Sequence, residues 1–214
     1  NVSKIITNIN SAKEKNVDII CFPELAISGY PPRDLITQTA FVENNLKALQ
    51  DIIKFSTDIC IIIGFIEQNK KKIGNSLYNS AAVIVNQKIL SIIRKSLLPT
   101  YDVFDETRYF ESIKEKKIVK YKGINLGITI CEDIWTDEMF FSTKRYDFDP
   151  VLELKKQKMD ILINISASPY TISKPLFRYK MFKNHIKKYH IPILFVNSVG
   201  GQDELIFDGN SMVI

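Results

Sequence analysis

Disulfide scaffolds, zinc sites and membrane spans all lack their raw material in this sequence. Its 214 residues hold three cysteines, Cys21, Cys60 and Cys131, odd in number, widely spaced and without a CxxC or Cys/His cluster. That pattern argues against a secreted disulfide framework and for a reducing, cytoplasmic location. The two histidines, His185 and His190, have no partners at ligand spacing, so no metal is expected. The longest uncharged apolar run, Ile59 to Ile66, falls far short of the roughly 20 residues a membrane helix needs. No Gly/Ser linker or internal repeat divides the chain, and Gly200-Gly201 fits neither GxGxxG nor GxxxxGK, so it reads as a turn and not a phosphate cradle. The sequence opens at Asn1 without an initiator Met or a signal peptide and stops at Ile214 inside an apolar run, and so reads as part of something longer.

What is present is an ordinary globular balance, 45% hydrophobic and 25% charged. Lys and Arg number 29 against 24 Asp and Glu, a net +5 that falls well short of a dedicated nucleic-acid protein. A single domain over 1–214 is expected, of a size that buries about 70% of its unfolded surface. Apolar residues at helical spacing mark helices over 1–15, 39–57, 148–158 and 174–189. Nearly continuous apolar stretches mark strands over 17–22, 59–65, 124–131, 160–165 and 192–197, with a hairpin over 78–94 and a last strand at 211–214. Helices alternating with such strands indicate an α/β domain whose sheet is covered on at least one face.

Three residues sit where strands end, the place where α/β folds meet their ligands. Glu24 closes the strand that runs into Phe22-Pro23 and is followed by Ser28-Gly29-Tyr30-Pro31-Pro32. Lys95 follows the apolar Ile89 to Ile93 stretch and precedes Leu97-Leu98-Pro99-Thr100-Tyr101. Cys131 ends INLGITIC and precedes Glu132-Asp133-Ile134-Trp135, a junction whose free N–H groups can hold an oxyanion. Taken singly, each has a plainer reading as solvated loop acid, surface amine or inert core thiol. Together they suit amide chemistry: a thiol to attack a carbonyl, a carboxylate to move its proton and an ammonium to stabilise the oxyanion.

The segments FPELAISGYPPRDL, KSLLPTYDVFDETRYF, GITICEDIW, INISASPY and VNSVGGQDELIFDG, in this order, closely resemble the nitrilase (carbon-nitrogen hydrolase) superfamily. Within it they look most like the amino-terminal glutaminase domains of glutamine-dependent NAD+ synthetases. The resemblance implies a four-layer α-β-β-α sandwich, here incomplete at both ends, and a catalytic triad of Glu24, Lys95 and Cys131. It also implies an oxyanion contact from the Glu132 backbone N–H, substrate contacts from Tyr101, Ser168 and Lys174, and a pocket-lining Trp135. The implied substrate is L-glutamine, with no cofactor in this domain. ATP and Mg belong to a synthetase domain of the same polypeptide, whose SGGxDS-type loop does not occur in these residues. Homo-oligomers are expected, and a free-standing amidase on another small amide or a non-catalytic assembly subunit are the alternatives. Lys174, Arg178, Lys180, Lys183, Lys187 and Lys188, interleaved with Tyr179 and Phe182, read as one solvated and one core face of a helix, so no nucleic-acid partner is expected.

Overall fold

Strands that are apolar at every position need cover on both faces, and the arrangement of this chain supplies it. The structure, a computed structural model, describes residues 1–71, 73–136, 140–141 and 143–214. One sheet contains β1 (Ile19–Cys21), β2 (Cys60–Gln68), β3 (Leu77–Val85) and β4 (Lys88–Arg94), in that spatial order. The other contains β5 (Val119–Tyr121), β6 (Ile124–Ile130), β7 (Ile161–Ser166), β8 (Ile193–Asn197) and β11 (Met212–Val213), in the order β11-β8-β7-β6-β5. Between β8 and β11 the chain forms a separate hairpin of β9 (Val199–Gln202) and β10 (Leu205–Asp208).

Side-chain alternation assigns the layers. Along β2, Ile61, Ile63 and Phe65 pack with Ile5 and Ile9 of α1 (Val2–Glu14) and with Leu49 and Ile52 of α2 (Thr39–Ile53). The intervening Cys60 and Ile62 turn the other way and meet Leu126, Ile128, Ile130, Ile163 and Ile165 of the second sheet. On the far side, Leu162, Ile193 and Phe195 pack with Val151 and Leu154 of α3 (Pro150–Lys156) and with Met181 and Phe182 of α4 (Lys174–Tyr189). The result is an α-β-β-α sandwich. Its local signals are ordinary ones: Asp149 caps α3 through bonds to the N–H groups of Val151 and Leu152, with Pro150 in the first turn where no donor is needed. Among the described residues no helix is long and apolar enough to cross a membrane.

The structure revises three sequence-based expectations. Gly200 and Gly201 lie within β9, paired to Phe207 and Ile206, and are not the turn of the hairpin. The strand escaped notice because its residues are largely exposed and carry no apolar alternation. Arg178, expected on the solvated face of α4, is fully buried; it pairs with Asp208 and donates to the Ser168 carbonyl at 3.3 Å. The helix read over 39–57 stops at Ile53.

Candidate active site

β1, β4, β6 and β7 all run towards one end of the sandwich, and the residues singled out in sequence follow their carboxyl ends. After β1 the chain turns sharply, with Leu25 at φ +46, and drops Glu24 to 1% exposure. The turn lies against β2 at Gly64, whose N–H donates to the Pro23 carbonyl at 3.2 Å. A Cβ there would lie 2.6 Å from the Pro23 oxygen and 2.8 Å from the Glu24 carbonyl carbon, so only glycine lets the acid loop approach this closely.

The Glu24 carboxylate is held on both oxygens. Oε1 accepts from Lys95 Nζ and from Asn79 Nδ2, each at 2.7 Å, and Oε2 accepts from the Ala167 N–H at 2.9 Å. Lys95, without solvent exposure, donates a second bond to Glu106 Oε1 at 2.6 Å. Glu106 also accepts from the Tyr30 hydroxyl at 2.8 Å. Burial alone would depress the Lys95 ammonium, but the carboxylates of Glu106 and Glu24 reverse this and hold it well above its ordinary value. Burial pushes Glu106 up to about 7, the Glu24 charge adding to the rise and Lys95 opposing it.

Cys131 is the first residue of a 3-10 turn, Cys131–Ile134, that β6 feeds directly. Its φ of +44 places it in the left-handed region, a strained setting for a residue with a Cβ. The thiol is buried and within electrostatic range of Glu24, Lys95, Glu106 and Glu132. Burial, reinforced by Glu24 and countered by Lys95, lifts its pKa well above the ordinary thiol value, so the resting group is S–H. Of the two contacts a Glu-Lys-Cys triad calls for at Lys95, that to Glu24 is present, whereas no hydrogen bond joins Lys95 to the Cys131 thiol among the described residues.

A cleft of about 310 Å³ opens beside this turn, lined by Tyr101, Trp135, Phe141, Arg145, Lys174 and Phe177 among others. Lys174 Nζ stands 5.0 Å over the Trp135 ring, which stacks on Phe177 at 5.8 Å between centroids. The Tyr101 hydroxyl donates to the Glu132 carboxylate, with contacts of 2.9 and 2.8 Å to its two oxygens, and Tyr146 donates to the same group at 2.7 Å. The buried Glu132 side chain thus anchors two tyrosine hydroxyls, one of them on a residue that lines the cleft. Ser168 is buried and does not line the cleft; its N–H donates to Asn197 Oδ1 at 2.8 Å.

Sequence reasoning passed over Glu106, Asn79 and Tyr30. Glu106 lay inside the YDVFDETRYF segment, where an acid between polar neighbours reads as solvated; its one signal was the length of that segment. Asn79 falls in a strand whose apolar run draws attention away from its single amide.

The profile of the carbon-nitrogen hydrolase family matches residues 1–214. The chain belongs to that family. Among curated relatives, the glutamine-dependent NAD(+) synthetase of Synechocystis sp. is 39% identical over 218 residues, covering 100% of this chain and 39% of the relative. The enzyme of the same name from Thermotoga maritima is 37% identical, again over 100% of this chain and 35% of the relative. The chain thus spans somewhat over a third of the length of these relatives. Among solved structures, the glutamine-dependent NAD+ synthetase of Acinetobacter baumannii superimposes with a TM-score of 0.85 at 36% identity, over 99% of this chain and 38% of that one. A nitrilase-superfamily amidase from Nesterenkonia AN1 shares the fold, with a TM-score of 0.80 at 18% identity over 100% of this chain and 76% of that one.

Proposed function

We propose that this carbon-nitrogen hydrolase chain is the glutamine-hydrolysing part of a glutamine-dependent NAD+ synthetase. It releases ammonia that a synthetase domain of the same polypeptide uses, with ATP and Mg, to amidate deamido-NAD+. The observation that carries the reading is the buried Glu24–Lys95 ion pair beside the Cys131 turn. The names of the relatives support the choice of amide.

Because the resting Cys131 is protonated, attack needs a base, and Glu24 is the carboxylate that most raises its pKa after burial. Sγ attacks the side-chain amide carbon of glutamine while its proton passes to Glu24. The carbonyl π electrons move to oxygen, and the resulting oxyanion is met by the Lys95 ammonium and the Glu132 backbone N–H. Collapse re-forms the carbonyl and expels ammonia, which takes the proton back from Glu24, leaving a γ-glutamyl thioester. Water then gives a proton to Glu24 and adds to the thioester; glutamate leaves and the sulfur recovers the proton. Glu106, a second carboxylate partner of Lys95 beside Glu24, keeps the ammonium charged and fixed in place. In the cleft, Lys174 supplies a cation for the substrate carboxylate, Trp135 a flat wall for its methylenes and Tyr101 a polar contact; Ser168, outside the lining, is given no contact to substrate. A reducing cytoplasm suits the three free thiols. A homo-oligomer suits the exposed Leu176, Phe177 and Tyr179 of α4.

The test uses the full-length protein with two nitrogen sources. Cys131→Ala is expected to abolish NAD+ formation from glutamine while leaving formation from an ammonium salt nearly unchanged. Equal loss with both sources would contradict the reading.

A further inference from the structure

Two charged side chains that the proposed reaction does not use are buried behind the nucleophile turn. Asp133, two residues after Cys131, has no solvent exposure. Its Oδ1 accepts from the N–H groups of Ser96 and Leu97, both at 2.9 Å. Its Oδ2 accepts from the Ile130 N–H at 3.1 Å and from Lys116 Nζ at 2.7 Å. Lys116 in turn donates to the Arg94 carbonyl at 2.8 Å. One carboxylate and one ammonium therefore bond to the residue before Cys131 and to the residues on either side of Lys95. Within the run Lys114-Glu115-Lys116-Lys117, only Lys116 points inward; Lys117 and Glu115 pair with each other at the surface.

β4 and β6 belong to different sheets, and the side chains between them are apolar contacts that tolerate sliding. Directional bonds to one carboxylate do not. A buried ion pair gives little net stability, so its value has to lie in what it orients.

We propose that Asp133 and Lys116 are positioning residues that set the separation of the Cys131 thiol from the Lys95 ammonium by tying the turn after β6 to the chain leaving β4. Neither touches substrate. The proposal rests on the reading of Cys131 as nucleophile. Displacement of the turn by about 1 Å is enough for a loss on the order of a hundredfold in turnover. The cleft residues Tyr101, Trp135 and Lys174 are not bonded to the pair, so substrate affinity is expected to hold.

The experiment measures kcat and KM for glutamine hydrolysis in the full-length protein carrying Lys116→Met, Asp133→Asn or both. Each kcat is divided by the fraction of folded protein, read from the amplitude of the cooperative urea-unfolding transition of the same preparation, which removes losses due to unfolded protein. Each single variant is expected to lower kcat per folded protein by about tenfold to a hundredfold with KM nearly unchanged. The double variant leaves no uncompensated charge, so its unfolding midpoint rises above those of the single variants. Its kcat stays low, because an Asn amide can accept on one side only, whichever way it is turned. Wild-type kcat per folded protein in the double variant, or a change in KM alone, would overturn the proposal. Glutamine hydrolysis surviving in Cys131→Ala would instead remove the nucleophile assignment on which it stands.

Discussion

Glu24, Lys95 and Glu106 occupy a region closed to solvent, where both Glu24 oxygens and two of the Lys95 protons have a named partner. A few residues away, Tyr101 and Phe177 are more than a third exposed, and the cleft they line is held together chiefly by ring faces and by Lys174 over Trp135. Charges in the first region are strong because no water screens them, and each is expensive to leave alone. Contacts in the second are individually weaker and can adjust to what enters. Under the proposed reaction the buried cluster is the floor that carries the chemistry and the open cleft the mouth that recognises substrate, so substitutions in the two places should separate kcat from KM.

The largest effect is expected at the floor. Lys95→Met leaves the Glu24 and Glu106 carboxylates facing each other without a cation and removes an oxyanion partner. Glutamine turnover should fall about a thousandfold, and the fold should lose on the order of 3–5 kcal/mol. Steady-state kinetics and urea unfolding measure the two; turnover within tenfold of wild type would break the comparison. Gly64→Ala comes next. Its Cβ would press on the backbone of Pro23 and Glu24, and backbone cannot swing aside as a side chain can. A loss of about a hundredfold in kcat is expected, with KM little changed; an unaltered kcat would show that the Glu24 turn is not set by this contact.

At the mouth, Tyr101→Phe removes a donor to the Glu132 carboxylate and leaves Tyr146 as its remaining hydroxyl partner. Loss of a hydrogen bond to a charged group should raise KM about tenfold, with kcat nearly constant; a fall in kcat alone would merge the two regions into one. The smallest effect is a pH dependence. Because burial raises Glu106 to about 7, the folded protein keeps a proton there, between the ordinary 4.5 and about 7, that the unfolded chain has released. The stability this group contributes is therefore fully present below about 4.5 and is lost as pH rises through about 7. Urea titrations of wild type and Glu106→Gln across that window should converge in slope only if another group is responsible; the expected result is a flatter profile in the variant.

The two regions also differed in how far sequence could reach them. The strand ends bearing Glu24, Lys95 and Cys131 announce themselves as apolar runs stopped by a polar residue, and family resemblance connected the three. The layers followed from strands apolar on both faces. Glu106, Asn79 and the Asp133–Lys116 pair stayed hidden because their burial is produced by distant segments meeting: Lys116 stands in a charged run and Asp133 beside Glu132, where local pattern indicates solvent. Gly64 looked like any glycine in a strand, since its constraint comes from a loop 40 residues earlier. Arg178 misled in the opposite sense, for it stands among the lysines of a basic helix, and Asp208 of β10 together with the Ser168 carbonyl holds it inside.

The most direct test of the whole account is the covalent intermediate. Acid quenching of the full-length protein during glutamine turnover, followed by digestion and mass spectrometry, should find a γ-glutamyl thioester on the peptide containing Cys131, and hydroxylamine should remove it. Glutamine hydrolysis that proceeds with no adduct, or with the adduct on Cys21 or Cys60, would contradict Cys131 as the nucleophile and with it the roles drawn for Glu24 and Lys95.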